Sequence, residues 1–162
     1  VNDPTAVGGL GRVLGVHAVP GDLSGTATID LRLDYMRPAT PPRFLLPVAL
    51  DSVERMLALA PGRMVFAHYG LVEDAVTHLQ IGRDQLLLWV RGAAVVAPLP
   101  EEEREAALHA WLLERDVHYR NINQLPPDLY ARERIFFGNT LRGMAEYVTS
   151  LSDGEREALA RG

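Results

Sequence analysis

The spacing of apolar residues changes along this chain. Over residues 26–33 polar and apolar positions alternate, which is typical of a half-buried strand. Further on, apolar residues recur every three or four positions, which is typical of amphipathic helices. This pattern predicts helices over residues 48–60, 74–94, 100–116 and 127–152. An apolar run at residues 64–67 falls between the first two helices and predicts a short strand that ends at His68.

Proline and glycine residues divide these elements. Four prolines between residues 38 and 47 predict an extended connector, because proline fixes φ and lacks a backbone donor. Ser152-Asp153-Gly154 is expected to close the last helix. We therefore predict one α/β domain over residues 1–162, β-leaning over 1–36, α/β over 48–97 and helical over 100–152.

The amino-acid composition excludes several classes of function. The chain has 162 residues, of which 48% are hydrophobic, so it can bury one substantial core. It contains no cysteine, which excludes disulfides, thiolate catalysis and cysteine-ligated metals. The net charge is −5 and the arginines are scattered, so nucleic acid is not an expected partner. No apolar run is long enough to suggest a membrane span, and we expect a cytoplasmic protein.

His68 is the first candidate for chemistry. The predicted strand places it where open α/β sheets bind their ligands, beyond the carboxyl end of a strand, and Gly70 follows at the turn. His68 is then either a metal ligand or catalytic group, or a hydrogen-bonded residue at the rim of the core. No two of the five histidines stand two or four positions apart, so the chain has no self-contained zinc motif.

Asp22 is the second candidate. Pro20-Gly21-Asp22 follows a strand-like segment over residues 12–19, which would bring a carboxylate to the end of a strand. The same three residues are also ordinary turn chemistry for a hairpin, and both interpretations stay open. No serine has the Gly-x-Ser-x-Gly context of a hydrolase nucleophile, and no residue is assigned a catalytic role.

Several segments, taken in order, resemble the C-terminal half of metallo-β-lactamase superfamily hydrolases. The main ones are residues 21–25 (GDLSG), 33–44 (LDYMRPATPPRF), 51–59 (DSVERMLAL) and 65–70 (VFAHYG). Residues 85–89 and 132–144 are similar to the helical tail of bacterial members. The resemblance extends from near Pro20 to Val148.

The resemblance implies the C-terminal half of an αββα sandwich with a helical extension, acting on a small-molecule substrate. It also implies zinc or another divalent metal ion, two per complete site, with Asp22 as the bridging carboxylate and His68 as the last ligand of the second metal. The leading His-x-His-x-Asp-His signature is absent from this chain. Asp22 could also stand in a decayed copy of the Thr-Pro-Gly-His turn of the family, which would give it a different role.

Two functions follow as expectations. The first is a metal-dependent hydrolase whose missing ligands come from an upstream segment or a second chain. On this hypothesis a chain that begins at Val1 is a fragment and is inactive alone. The alternative is a non-catalytic interaction module that forms a homodimer, because half a sandwich exposes the apolar face that its other half should cover.

Overall fold

The structure is a computed structural model that describes residues 35–40, 43–66 and 70–162. Its helices and strands, in chain order, are α1 (Leu46–Ala58), β1 (Met64–Phe66), β2 (Gly70–Val72), α2 (Ala75–Val96), α3 (Glu101–Arg115), a 3₁₀ helix (Tyr119–Gln124), α4 (Pro127–Ser150) and α5 (Asp153–Arg161). Helices α1, α2, α3 and α4 lie close to the four predicted ranges, so those predictions are confirmed.

The helix boundaries follow from local chemistry. The side chain of Asp74 accepts a hydrogen bond from the backbone N–H of Thr77 and caps α2. Three glutamates in the first turn of α3 lie at the positive end of its dipole. Pro127 opens α4, where a missing N–H costs nothing.

Helix α2 lies at the centre of the described residues and packs against α1, α3, α4 and α5. Trp89, in the middle of α2, is fully buried, and its ring packs edge-on against Tyr119 and Phe137. Gly92 allows α3 to approach closely, since a Cβ there would lie 2.6 Å from the side chain of Leu108. The core is therefore a helix-on-helix core.

The predicted α/β sandwich is wrong. The described residues contain one two-stranded antiparallel ladder, in which Met64 faces Val72 and Phe66 faces Gly70. Strands of three residues cannot cover the apolar face of a 22-residue helix such as α2. In an α/β sandwich the apolar positions of α2 would pack on a sheet, whereas here they pack on neighbouring helices. The strands predicted over residues 12–19 and 26–33 lie outside the described residues.

A second correction concerns the end of the chain. Ser152 does not close the helical region but begins a further helix, α5. Its side chain accepts a hydrogen bond from the backbone N–H of Glu155, and the Glu155 carboxylate accepts one from the N–H of Ser152. This reciprocal pair is a capping box, whose Ser-x-x-Glu spacing is visible in the sequence.

Candidate functional site

Both predicted metal ligands, Asp22 and His68, lie outside the described residues. Within residues 35–40, 43–66 and 70–162, no three histidine, aspartate or glutamate side chains come together as a group that could hold a metal ion. The described side chains therefore form no metal centre of their own, and metal binding at Asp22 and His68 stays a prediction. What the described side chains do form is a buried polar network.

The network binds an extended segment to the helices. We call this segment, residues 35–40 and 43–44, the strap. The side chain of Arg37 is 1% exposed and that of Glu133, on α4, is 2% exposed, and Arg37 Nε donates to Glu133 Oε2 at 2.7 Å. The Tyr35 hydroxyl donates to the same carboxylate oxygen at 3.0 Å. A cation and an anion are thus buried together, and the anion also accepts a hydrogen bond from a hydroxyl, as buried charges require.

The contacts of the strap continue along one face of α4. Arg37 Nη1 donates to the Thr140 hydroxyl at 3.3 Å, and the Thr40 hydroxyl donates to the Thr140 carbonyl at 3.2 Å. Further on, the ring of Phe44 packs edge-on against Tyr147, with 5.8 Å between centroids. The three contact points on α4, at residues 133, 140 and 147, are seven residues apart and therefore lie on one face. The strap runs parallel to α4 along that face.

Helix α2 binds the strap from its other side. Gln85 Nε2 donates to the Met36 carbonyl at 2.7 Å and also to Asp116 Oδ2 at 2.9 Å. Asp116 ends α3 and accepts from Trp89 Nε1 at 2.7 Å and from the Tyr119 backbone N–H at 2.9 Å. One buried carboxylate thereby joins α2, the end of α3 and the start of the 3₁₀ helix.

A half-buried histidine lies beside this network. His109 Nδ1 is 2.8 Å from the Tyr119 hydroxyl, and Arg134 lies over the ring of Phe137. Burial, with a smaller contribution from the positive charge of Arg134, lowers the pKa of His109 to about 4. His109 is therefore neutral near pH 7.

The buried tyrosines stay protonated. Burial raises the pKa of Tyr35 far above its ordinary value, and the pKa of Tyr119 rises for the same reason. Both hydroxyls therefore keep their protons and take part in hydrogen bonds, Tyr35 with Glu133 and Tyr119 with His109, and neither is set up to lose its proton in a reaction. This arrangement favours a role in holding segments together rather than in proton transfer.

Sequence reasoning identified none of the polar residues in this network as functional. One signal was present. Glu133 stands four positions before Phe137 and eight before Leu141, both of which are buried, so it occupies the apolar stripe of α4. A charged residue in that stripe indicates a buried partner, although the sequence does not say that the partner is Arg37.

The described residues also line an open groove of about 680 Å³ between α2, α4 and α5. Its walls are mostly apolar and include Leu87, Leu88 and Leu159, and its charged groups are Arg91 and Glu155. Arg91 Nη2 already donates to the carbonyl of Arg161 at 2.9 Å, and Glu155 already belongs to the capping box. Both charges therefore have partners within the protein.

Comparison with models of protein families, with curated proteins and with solved structures finds no match for this chain. Among the helices of the described ranges, none combines the length and the apolar character needed to cross a membrane.

Proposed function

We propose that this chain is the C-terminal part of a metal-dependent hydrolase of the metallo-β-lactamase superfamily that acts on a small molecule. The observation that carries the proposal is the ordered resemblance from Pro20 to Val148. Two of the described elements fall at or next to the resembling segments. Helix α1 coincides with the resembling segment 51–59 over most of its length, and β1 ends two positions before His68.

In this proposal the described helices have a supporting role. They lack a group of metal ligands within the described ranges, and the proposal assigns no step of hydrolysis to them. Their contribution is to hold the strap, which connects the segment containing Asp22 with α1.

Asp22 and His68 are the proposed ligands of zinc or another divalent cation, with the other ligands supplied by an upstream segment or a second chain. Asp22 and His68 would help to hold such a metal ion, which when bound would supply water activation for hydrolysis near neutral pH. Because two ligands make an incomplete first shell, we expect this chain alone to bind zinc weakly.

Equilibrium dialysis against zinc tests the proposal. We expect weak binding by the chain, reduced at least tenfold by His68→Gln and by Asp22→Asn. The matched control is His78→Gln, because His78 is a histidine of α2 whose ring Nδ1 lies 2.7 Å from the Asp74 carbonyl, outside the proposed ligand set. This variant should bind zinc as the wild-type chain does.

Two results would contradict the proposal. Equal zinc binding by the wild-type chain and both ligand variants would remove Asp22 and His68 from the site. Tight binding of two zinc ions by the isolated chain would show that no further ligands are needed and would contradict the proposal of a partial site.

The second candidate is a non-catalytic module that pairs with another copy of itself. The observation in its favour is the set of large apolar side chains that stay exposed, among them Leu59 at 78%, Val65 at 72% and Ile135 at 69%. Light scattering over a range of protein concentrations separates the two candidates. A dimer that binds no zinc would favour the pairing module, and a zinc-binding monomer would favour the hydrolase.

A further inference from the structure

Helix α4 carries a stripe of exposed residues on the side opposite to the core. The buried residues of α4, such as Phe137, Leu141 and Met144, belong to the core. On the far side, exposed residues recur at alternating intervals of four and three positions, which keeps them in line along an α-helix. They are Asp128, Arg132, Ile135, Asn139, Arg142 and Glu146, and we call them the outer stripe.

The middle of the outer stripe is apolar. Ile135 is 69% exposed, and Phe136 beside it is 41% exposed. Exposed apolar residues are common on protein surfaces and do not by themselves indicate a partner. The charged residues on either side of Ile135 do indicate one, because of how their signs are arranged.

Opposite charges lie at equal distances on the two sides of Ile135. Asp128 is seven positions before it and Arg142 is seven positions after it, which is about 10 Å along the helix in each direction. Neither side chain forms an ion pair with another described residue. Both charges therefore point to a partner with the reverse order of charges.

A second copy of this chain has that reverse order. If two α4 helices lie antiparallel with a two-fold axis at Ile135, each Asp128 faces Arg142 of the partner subunit and the two isoleucines meet at the axis. Arg132 then lies near Asn139 of the partner subunit, whose amide oxygen can accept a hydrogen bond. Parallel helices would instead set each Asp128 against Asp128 of the partner subunit, and like charges repel. The charges of the outer stripe thus favour the antiparallel pair.

We propose that the outer stripe is the surface on which two copies of this chain pair, with their α4 helices antiparallel and Ile135 on the two-fold axis. The proposal rests on the second candidate function, pairing with another copy, and names its surface. It uses neither Asp22 nor His68, so it holds or fails independently of the hydrolase proposal. One helix face buries less than the roughly 1,600 Å² of a standard interface, so we expect a weak dimer with a micromolar dissociation constant.

Sedimentation equilibrium of the chain with a metal chelator present tests the charges without zinc. In Asp128→Arg and in Arg142→Asp, two attractive contacts of the dimer become repulsive, and we expect the dissociation constant to rise about tenfold. The double variant D128R/R142D exchanges the two charges and restores both attractions. We expect it to dimerise nearly as well as wild type, which damage to the structure by either single change would not allow.

A second pair of variants tests the apolar centre. Ile135→Asp brings two carboxylates together at the axis, and we expect no dimer. The matched control is Leu59→Asp, because Leu59 is 78% exposed and lies at the end of α1, outside the outer stripe. This variant should dimerise as wild type does.

The direction of the helices can be measured with one spin label on each copy. Because the chain has no cysteine, Glu146→Cys gives a single labelling site on the exposed side of α4. Glu146 is eleven positions from Ile135, so antiparallel helices place the two labels about 33 Å apart along the axis. Parallel helices would place them near the helix separation of about 10 Å.

Four results would overturn the proposal. The first is a wild-type chain that stays monomeric at about 1 mM, where a micromolar dimer is nearly complete. The second is a dimer that survives Ile135→Asp or is lost in Leu59→Asp, which would place the pairing surface elsewhere. The third is a short distance between the labels, and the fourth is a double variant D128R/R142D that dimerises no better than the single variants.

Discussion

Helices α4 and α5 use polar side chains in opposite ways. On α4, Glu133 and Thr140 are buried and bind residues of the strap that are about 100 positions away in the sequence. On α5 no residue is fully buried, and its polar side chains bond to neighbours three or four positions away, as Arg161 does with Glu157. Polar side chains therefore make long-range contacts on α4 and local helix contacts on α5.

If the buried polar groups of α4 specify its contacts, replacing Glu133 should cause the largest loss of stability. Replacing it with leucine leaves the guanidinium of Arg37 buried without its carboxylate, and we expect a loss of about 3–5 kcal/mol in the free energy of unfolding. Urea denaturation measures this loss. The control is Asp51→Leu, whose partner Arg55 is 75% exposed, and its effect should stay below about 1 kcal/mol. Similar losses of unfolding free energy in the two variants would contradict the expected difference between buried and exposed ion pairs.

The next largest loss of stability is expected at Gly92 on α2, and Gly154 on α5 provides the comparison. In Gly92→Ala the new methyl carbon would lie 2.6 Å from Leu108 and 2.9 Å from Trp111, and such overpacking costs about 1–3 kcal/mol. In Gly154→Ala, on α5, the methyl group meets nothing within 4 Å. That variant should be as stable as wild type or slightly more stable, because alanine favours helices. Denaturation midpoints compare the two variants, and equal midpoints would contradict the close contact of α2 with α3.

His109 should make the stability of the folded protein depend on pH. Its pKa is lowered to about 4 in the folded protein, from an ordinary value of 6.5. Between these pH values the unfolded chain binds a proton that the folded protein does not, so stability falls as the pH drops from about 6.5 to about 4. We expect His109→Gln to lose less stability between pH 7 and pH 5 than wild type does.

NMR titration of the His109 ring provides the direct measurement. A midpoint near pH 4 would agree with a histidine ring that packs against Tyr119 and Phe137 and is partly shielded from water. A midpoint near 6.5 would show that the ring is solvated, and His109 would then belong with the exposed polar residues typified by α5.

The smallest effect is expected at Ser152. Its replacement by alanine removes the cap of α5 and should cost about 1 kcal/mol, confined to that helix. Hydrogen exchange should show roughly fivefold lower protection in α5, with the protection of α4 unchanged. Ser150→Ala is the control, because Ser150 bonds to the Tyr147 carbonyl at the end of α4 and caps no helix start. Loss of protection across α4 in Ser152→Ala would show that α5 is coupled to the core.

Much of the helical structure could be predicted from the sequence, because periodicity and caps are local. The predicted range 127–152 corresponds to α4 at Pro127–Ser150, and 74–94 corresponds to α2 at Ala75–Val96. The missed helix α5 was also predictable, since Ser152 and Glu155 have the spacing of a capping box. The error was to treat Ser152-Asp153-Gly154 only as a stop signal.

The fold class and the network could not be predicted in the same way. Whether the apolar face of α2 meets a sheet or other helices depends on partners far away in the chain, and periodicity is identical in the two cases. The match of Arg37 to Glu133 is likewise non-local, and no short motif encodes it. The predictions for Asp22 and His68 stay predictions, because both residues lie outside the described part of the chain.

The parallel course of the strap along α4 has a mechanical consequence. A pull on the strap along its own axis loads its contacts at Glu133, Thr140 and Tyr147 in shear, so they share the force and must yield together. A pull away from the helix would instead peel them off one after another. The strap should therefore transmit tension along the chain far better than it resists being lifted from the surface of α4.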